Sequence, residues 1–151
     1  MKEQYLNEIE LPIWQDPQGD LIIEKGREFC CIYFACWKDN EAAEYADYVG
    51  KITFENAWAV KSLDVEFYDI RPKVDWQFKS SICIVENSEW LDEVIGIRSK
   101  YYDNWTRWKE REYKHYLVRG HDNYFEVIAE NFFVEKVSKK NFDRYTELLI
   151  D

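Results

Sequence analysis

The stretch covering residues 113–137 constrains this chain most, because it reads as a long β-hairpin around which the other elements must be arranged. Tyr116 and Val118 lead into Gly120, His121, Asp122 and Asn123, a cluster suited to the positive φ and local side-chain hydrogen bonds of a short turn. On the return run Phe125, Val127 and Ala129 alternate with Glu126, Ile128 and Glu130, so one face is expected to be buried and the other half wet. A sheet with such a strand needs a cover.

The preceding stretch supplies one. Asn87 or Ser88 is placed to cap a helix, and Leu91, Val94, Ile95, Arg98, Tyr101, Tyr102, Trp105 and Trp108 follow at three- and four-residue spacings. This predicts a principal helix over about residues 88–109, with its aromatic stripe against the sheet. Residues 29–37 are nearly all apolar and rich in aromatics, predicting a central strand, with a buried helix as the alternative. Short strands are expected at 21–24 and 81–86, and the shared parity of Ile52, Phe54, Trp58 and Val60 predicts another. Residues 38–50 suggest a short helix capped by Asn40 and ended by Gly50, residues 69–79 a loop, and residues 1–20 a lead-in anchored by Leu11, Ile13 and Trp14. Phe142, Tyr145, Leu148 and Leu149 lie at helical spacing near the end. The fold class expected is α+β: a single domain over residues 1–151, with a mostly antiparallel, curved sheet packed against the long helix and a short C-terminal helix.

A chain of 151 residues can bury about 70% of its unfolded surface around one core without metal or disulfide staples. The four cysteines, with no apolar leader after Lys2, Glu3 and Gln4, read as reduced thiols of a cytoplasmic protein, and no run is long enough for a membrane span. The formal net charge of −10 opposes nucleic-acid and anionic-membrane partners and favours a basic protein partner. Charge is unevenly spread: residues 98–119 carry a net +4 and the remainder −14. The interleaving of Arg98, Lys100, Arg107, Lys109 and Arg111 with Tyr101, Tyr102, Trp105 and Trp108 resembles a nucleic-acid surface, but the helical phase puts the rings on the sheet side. The 27 aromatic residues, 18% of the chain, suit a core, an interface or a pocket equally.

Motifs for common chemistry are missing. The five glycines form no phosphate-binding cluster, and no serine stands in a nucleophile-elbow sequence. Cys30, Cys31, Cys36 and Cys83 lack the paired spacing of a zinc site, so neither metal nor cofactor is expected. His121 with Asp122 and Glu126 offers an acid and base or three metal ligands, and Glu126 with Glu130 a carboxylate pair on one strand face. Turn chemistry explains Gly120 to Asn123 more simply, and Glu126 and Glu130 read more simply as two exposed glutamates on a strand. The leading expectation is a small, acidic, non-catalytic interaction module, immunity- or adaptor-like, with a protein partner and the possibility of homo-oligomers. The alternative is a small-molecule-binding or hydrolytic α+β domain, with a pocket between helix and sheet lined by Trp58, Trp105, Tyr124, Glu126 and Glu130.

Overall fold

Two antiparallel sheets, laid face to face, carry this chain. The structure is a computed structural model and describes residues 2–77, 80–102 and 112–149. In chain order the strands are Tyr5–Glu8 (β1), Trp14–Gln15 (β2), Ile22–Lys25 (β3), Cys30–Trp37 (β4), Tyr45–Glu55 (β5), Ala59–Asp64 (β6), Ile82–Glu86 (β7), Lys114–Arg119 (β8), Asn123–Ala129 (β9) and Asn131–Ser138 (β10). One α-helix, Glu89–Tyr101 (α1), stands between β7 and β8 among the described residues. The front sheet runs β1-β7-β8-β9-β6, and the back sheet runs β10-β5-β4-β2 with β3 also pairing β4. The architecture is broadly α+β, a single domain dominated by its sheets.

The core follows from strand alternation. Cys30, Ile32, Phe34 and Cys36 of β4 face Ile82, Tyr116, Val118, Phe125 and Val127 of the front sheet across one apolar interior. The opposite residues of β4, Cys31 and Tyr33, pack under Val49, Phe142 and Leu148. With both faces covered, β4 is continuously apolar and central, as its sequence predicts. The predicted hairpin is β8 and β9, joined through Gly120 to Asp122, and the Gly120 N–H donates to the Asn123 carbonyl. None of the residues from Gly120 to Asn123 takes a positive φ, contrary to expectation. The chain then crosses into the back sheet as β10, so the long hairpin is two strands of one sheet followed by an edge strand of the other. A matching crossing joins β5 to β6 at Asn56, whose φ is 51°, and splits the single strand expected from Ile52 to Val60.

Other expectations are corrected. Residues 38–44 form a turn rather than a helix: Asp39 Oδ1 accepts the Glu41 N–H, the Lys38 N–H reaches the Glu44 carbonyl, and Ala42 has φ 54°. Gly50 lies inside β5 instead of ending a helix. A Cβ there would run into the Phe34 ring, so its glycine serves a close ring-to-backbone approach. The C-terminal helix is reduced to two short 3-10 turns, Lys139–Asn141 and Thr146–Leu148, separated by Tyr145 at φ 54°. The principal helix has 13 residues and ends at Tyr101, since Tyr102 takes a non-helical φ of −138°. Trp105, Trp108 and the other residues 103–111 lie outside the described residues.

Candidate functional site

Helix α1 begins where strand β7 ends, and the junction is built from two local signals. Asn87 takes φ 57°, a conformation that asparagine tolerates better than most residues, and turns the chain out of the sheet. Ser88 then caps the helix, its Oγ accepting the Leu91 N–H at 3.0 Å. Glu89 and Asp92 in the first turn and Arg98 and Lys100 in the last complement the helix dipole.

The helix sits on the sheet by its two ends. At the first, the Trp90 ring meets the His115 ring edge-on, with centroids 5.0 Å apart, and carries Lys61 Nζ 4.0 Å above it. At the other, the Arg98 guanidinium lies over the rings of Trp58 and Tyr102, and Trp58 stacks on Tyr113 at 3.5 Å. No residue of α1 is fully buried. Ile97, Tyr101 and Tyr102 are 49%, 77% and 55% exposed, so the expectation that the aromatic stripe is core fails for both tyrosines. With Trp58, Val94 and Arg98 they line an open depression of about 310 Å³.

Beneath the helix N-terminus lies a chain of buried polar groups. His115 Nδ1 is 2.6 Å from Ser88 Oγ, and His115 Nε2 is 2.7 Å from Glu126 Oε1. Exposure of Ser88, His115 and Glu126 is 5%, 2% and 4%. The register of β8 and β9 produces the second contact: His115 pairs with Ile128 and Leu117 with Glu126, so His115 and Glu126 are diagonal neighbours on one face. The Tyr68 hydroxyl, also buried and without a hydrogen-bond partner among the described residues, has its phenol pushed far up by burial and by the nearby Glu126 charge.

The residues singled out from sequence are dispersed. His121 and Asp122 pair at 3.0 Å on the exposed turn, with side chains 48% and 81% exposed, and Glu126 bonds His115. Glu130 follows the end of β9 and accepts from Asn56 Nδ2 at 2.6 Å, tying the two crossings between sheets together. Trp58 lines the helix-side depression, whereas Tyr124 meets Tyr68 edge-on at 5.4 Å and borders a separate cavity beside Arg119. Trp105 is outside the described residues. Ser88 and His115 are the polar partners that sequence reasoning did not assemble. The signal was present, since a turn centred between His121 and Asp122 already implies the β8–β9 register.

The four thiols are buried and unpaired with one another. Burial pushes Cys30 and Cys83 up to about 11 and Cys36 up to about 12, which makes them poor nucleophiles. Among the described residues, no three or more His, Cys, Asp or Glu side chains converge as a metal site, and no helix is long and apolar enough to cross a membrane. Compared with known proteins, the chain matches no family model, no curated protein and no solved structure.

Proposed function

We propose that this chain is a protein-interaction module that docks a basic protein partner on the outer face of α1. The observation carrying this reading is the helix itself, which buries none of its residues completely and leaves Ile97, Tyr101 and Tyr102 exposed. Aromatic side chains of this kind give large contact area for little lost entropy. The exposed Glu89, Asp92 and Glu93 stand on the same helix, and the whole chain carries −10. Arg98 and Lys100 stand beside the exposed anchors, so charge complementarity favours a partner that presents an apolar group to Ile97 and Tyr101 and its Lys or Arg to the acidic first turns at Glu89, Asp92 and Glu93.

The test is native mass spectrometry of the protein purified gently from its source cells, alongside the variant Ile97→Asp. A stoichiometric, Lys- and Arg-rich chain bound to the natural protein and lost from the folded variant supports the reading. A partner that the variant retains sinks the α1 face as the docking surface. A bare homodimer at near-native concentration sinks the basic partner. The alternative reading, a ligand-binding or hydrolytic site between helix and sheet, draws its support from Ser88, His115 and Glu126 and is independent of the exposed helix face.

A further inference from the structure

We infer that Ser88 is an activated hydroxyl, and that Ser88, His115 and Glu126 form an acyl-transfer site that hydrolyses small neutral or cationic esters. With Glu126 as carboxylate and the imidazole neutral, the donor pattern has one consistent solution. Glu126 as a carboxylate only accepts, so His115 Nε2 carries the ring proton and donates it at 2.7 Å. His115 Nδ1 is then a bare acceptor, 2.6 Å from Ser88 Oγ. The Ser88 oxygen already accepts the Leu91 N–H, which leaves its own hydroxyl proton to point at Nδ1. A nucleophile hydrogen-bonded to a base, and a base oriented by a carboxylate, is the arrangement that acyl transfer requires. The sequence has no nucleophile-elbow motif, yet the backbone makes a comparable turn: strand β7, a positive-φ residue at Asn87, Ser88, then a helix.

Substrate access comes from a cavity of about 350 Å³ that Ser88 and His115 line together with Val85, Leu91, Tyr113 and Glu112. The apolar members suit a short acyl group, while Glu86, Asp92 and Glu112, set against Lys114 alone, leave the lining net negative and disfavour anionic esters. In the first step the Ser88 proton passes to His115 Nδ1, Oγ bonds to the acyl carbon, and the ester C–O bond breaks. The leaving alkoxide takes the proton from Nδ1. In the second, water gives a proton to Nδ1 and its hydroxide adds to the acyl carbon, the Oγ–acyl bond breaks, and Ser88 recovers the proton. One ester and one water become an acid and an alcohol. The N-terminus of α1 behind Ser88 favours the negative charge that develops at the acyl oxygen.

The experiment treats the full-length protein with diisopropyl fluorophosphate and with p-nitrophenyl acetate, and maps adducts by mass spectrometry. The expected result is one phosphoryl adduct, on the Ser88 peptide, and a burst of p-nitrophenolate that Ser88→Ala abolishes. Glu126→Gln keeps the side-chain shape and is expected to slow both reactions at least about 100-fold, with near-ultraviolet circular dichroism reporting the fold. Ser88→Cys supplies a second readout that does not depend on those variants folding alike. Its thiol, paired with His115, should alkylate with iodoacetamide well below the pH at which ordinary thiols react, against a background of native cysteines that burial silences. A folded natural protein unmodified at Ser88, an adduct only on other residues, or an introduced thiol no more reactive than a free one overturns the proposal.

Discussion

The end of the chain and helix α1 attach to the outer faces of their sheets by different means. On the back sheet, the end of the chain lays Phe142, Tyr145 and Leu148 over Tyr33 and Val49, with rings 5.5 and 5.7 Å apart around Tyr33. On the front sheet, Tyr68, Ile70 and Trp76 pack with Leu6, Cys83 and Leu117, while α1 is tied at its first turn by hydrogen bonds among Ser88, His115 and Glu126 and by the Trp90 ring on His115, and leaves Ile97 and Tyr101 exposed. An apolar cover gains free energy from every side chain that it hides, so the tail presses its residues inward. A cover anchored by a few polar groups needs only those groups in place. The helix is thereby free to present a face outward, and the front sheet is where both proposed activities lie.

The largest effect should come from the back cover. Phe142 is 7% exposed, and Phe142→Ala should cost about 3–5 kcal/mol in urea unfolding, because it removes a buried ring packed against Tyr33 and Tyr145 and leaves a cavity. A cost below about 1 kcal/mol would mean that the tail is loosely laid and that the two covers are alike. The front cover should respond less. Glu126→Ala leaves the buried His115 Nε2 without its hydrogen-bond partner and should cost about 1–3 kcal/mol. Equal losses for both variants would remove the distinction between an apolar and a polar attachment.

The part of this contrast that was legible in the sequence is the part written in short-range pattern. The continuous apolar run that became β4 and the capping role of Ser88 are local signals that carried through to the fold, whereas β9 is buried on both faces, Glu126 and Ile128 included, where its alternation predicts one half-wet face. The tail was legible only in part. Phe142, Tyr145 and Leu148 recur every third residue, which is the period of a 3-10 turn rather than the 3.6 of an α-helix, and Tyr145 at φ 54° interrupts even that. The region before β5 misled for a different reason. Ala42, Ala43 and Ala46 suggested a helix, while the period-2 signal of β5 is weakened at Gly50, whose missing side chain is replaced by the Phe34 ring from the neighbouring strand. Glu126 stood out as a carboxylate on a strand. Its partner His115 is 11 residues away on the facing strand, and only the pairing register brings the two together.

A smaller effect, with a pH signature, belongs to the back cover. Glu24 Oε2 accepts from the Tyr145 hydroxyl at 2.7 Å and from Arg144 Nη1 at 2.8 Å. The Tyr145 hydrogen bond, helped by Tyr33 and Arg144 and opposed by burial, holds the Glu24 carboxyl below its ordinary value of 4.5. A carboxyl lowered in the folded state adds stability above its unfolded value and loses it as pH falls through the folded one. Glu24→Gln should therefore cost about 0.5–1 kcal/mol at pH 7, a modest figure because solvent screens the pair, and the difference should shrink only below about pH 4.5. A difference unchanged down to pH 3 would show that packing, rather than charge, seats Arg144 and Tyr145.

The smallest effect on stability is expected where the effect on binding should be largest. Ile97→Ser and Tyr101→Ser remove apolar side chains that are 49% and 77% exposed, so each should move the unfolding free energy by less than about 0.5 kcal/mol. A larger loss, comparable with that of Glu126→Ala, would mean that these side chains pack in solution and that α1 is a second apolar cover like the tail. If stability is preserved, affinity for a basic partner should still fall at least about 30-fold for a central anchor, equivalent to about 2 kcal/mol. The two measurements on one variant then separate a face kept exposed for contact from one that merely lacks a neighbour. Only the contact face loses binding without losing fold.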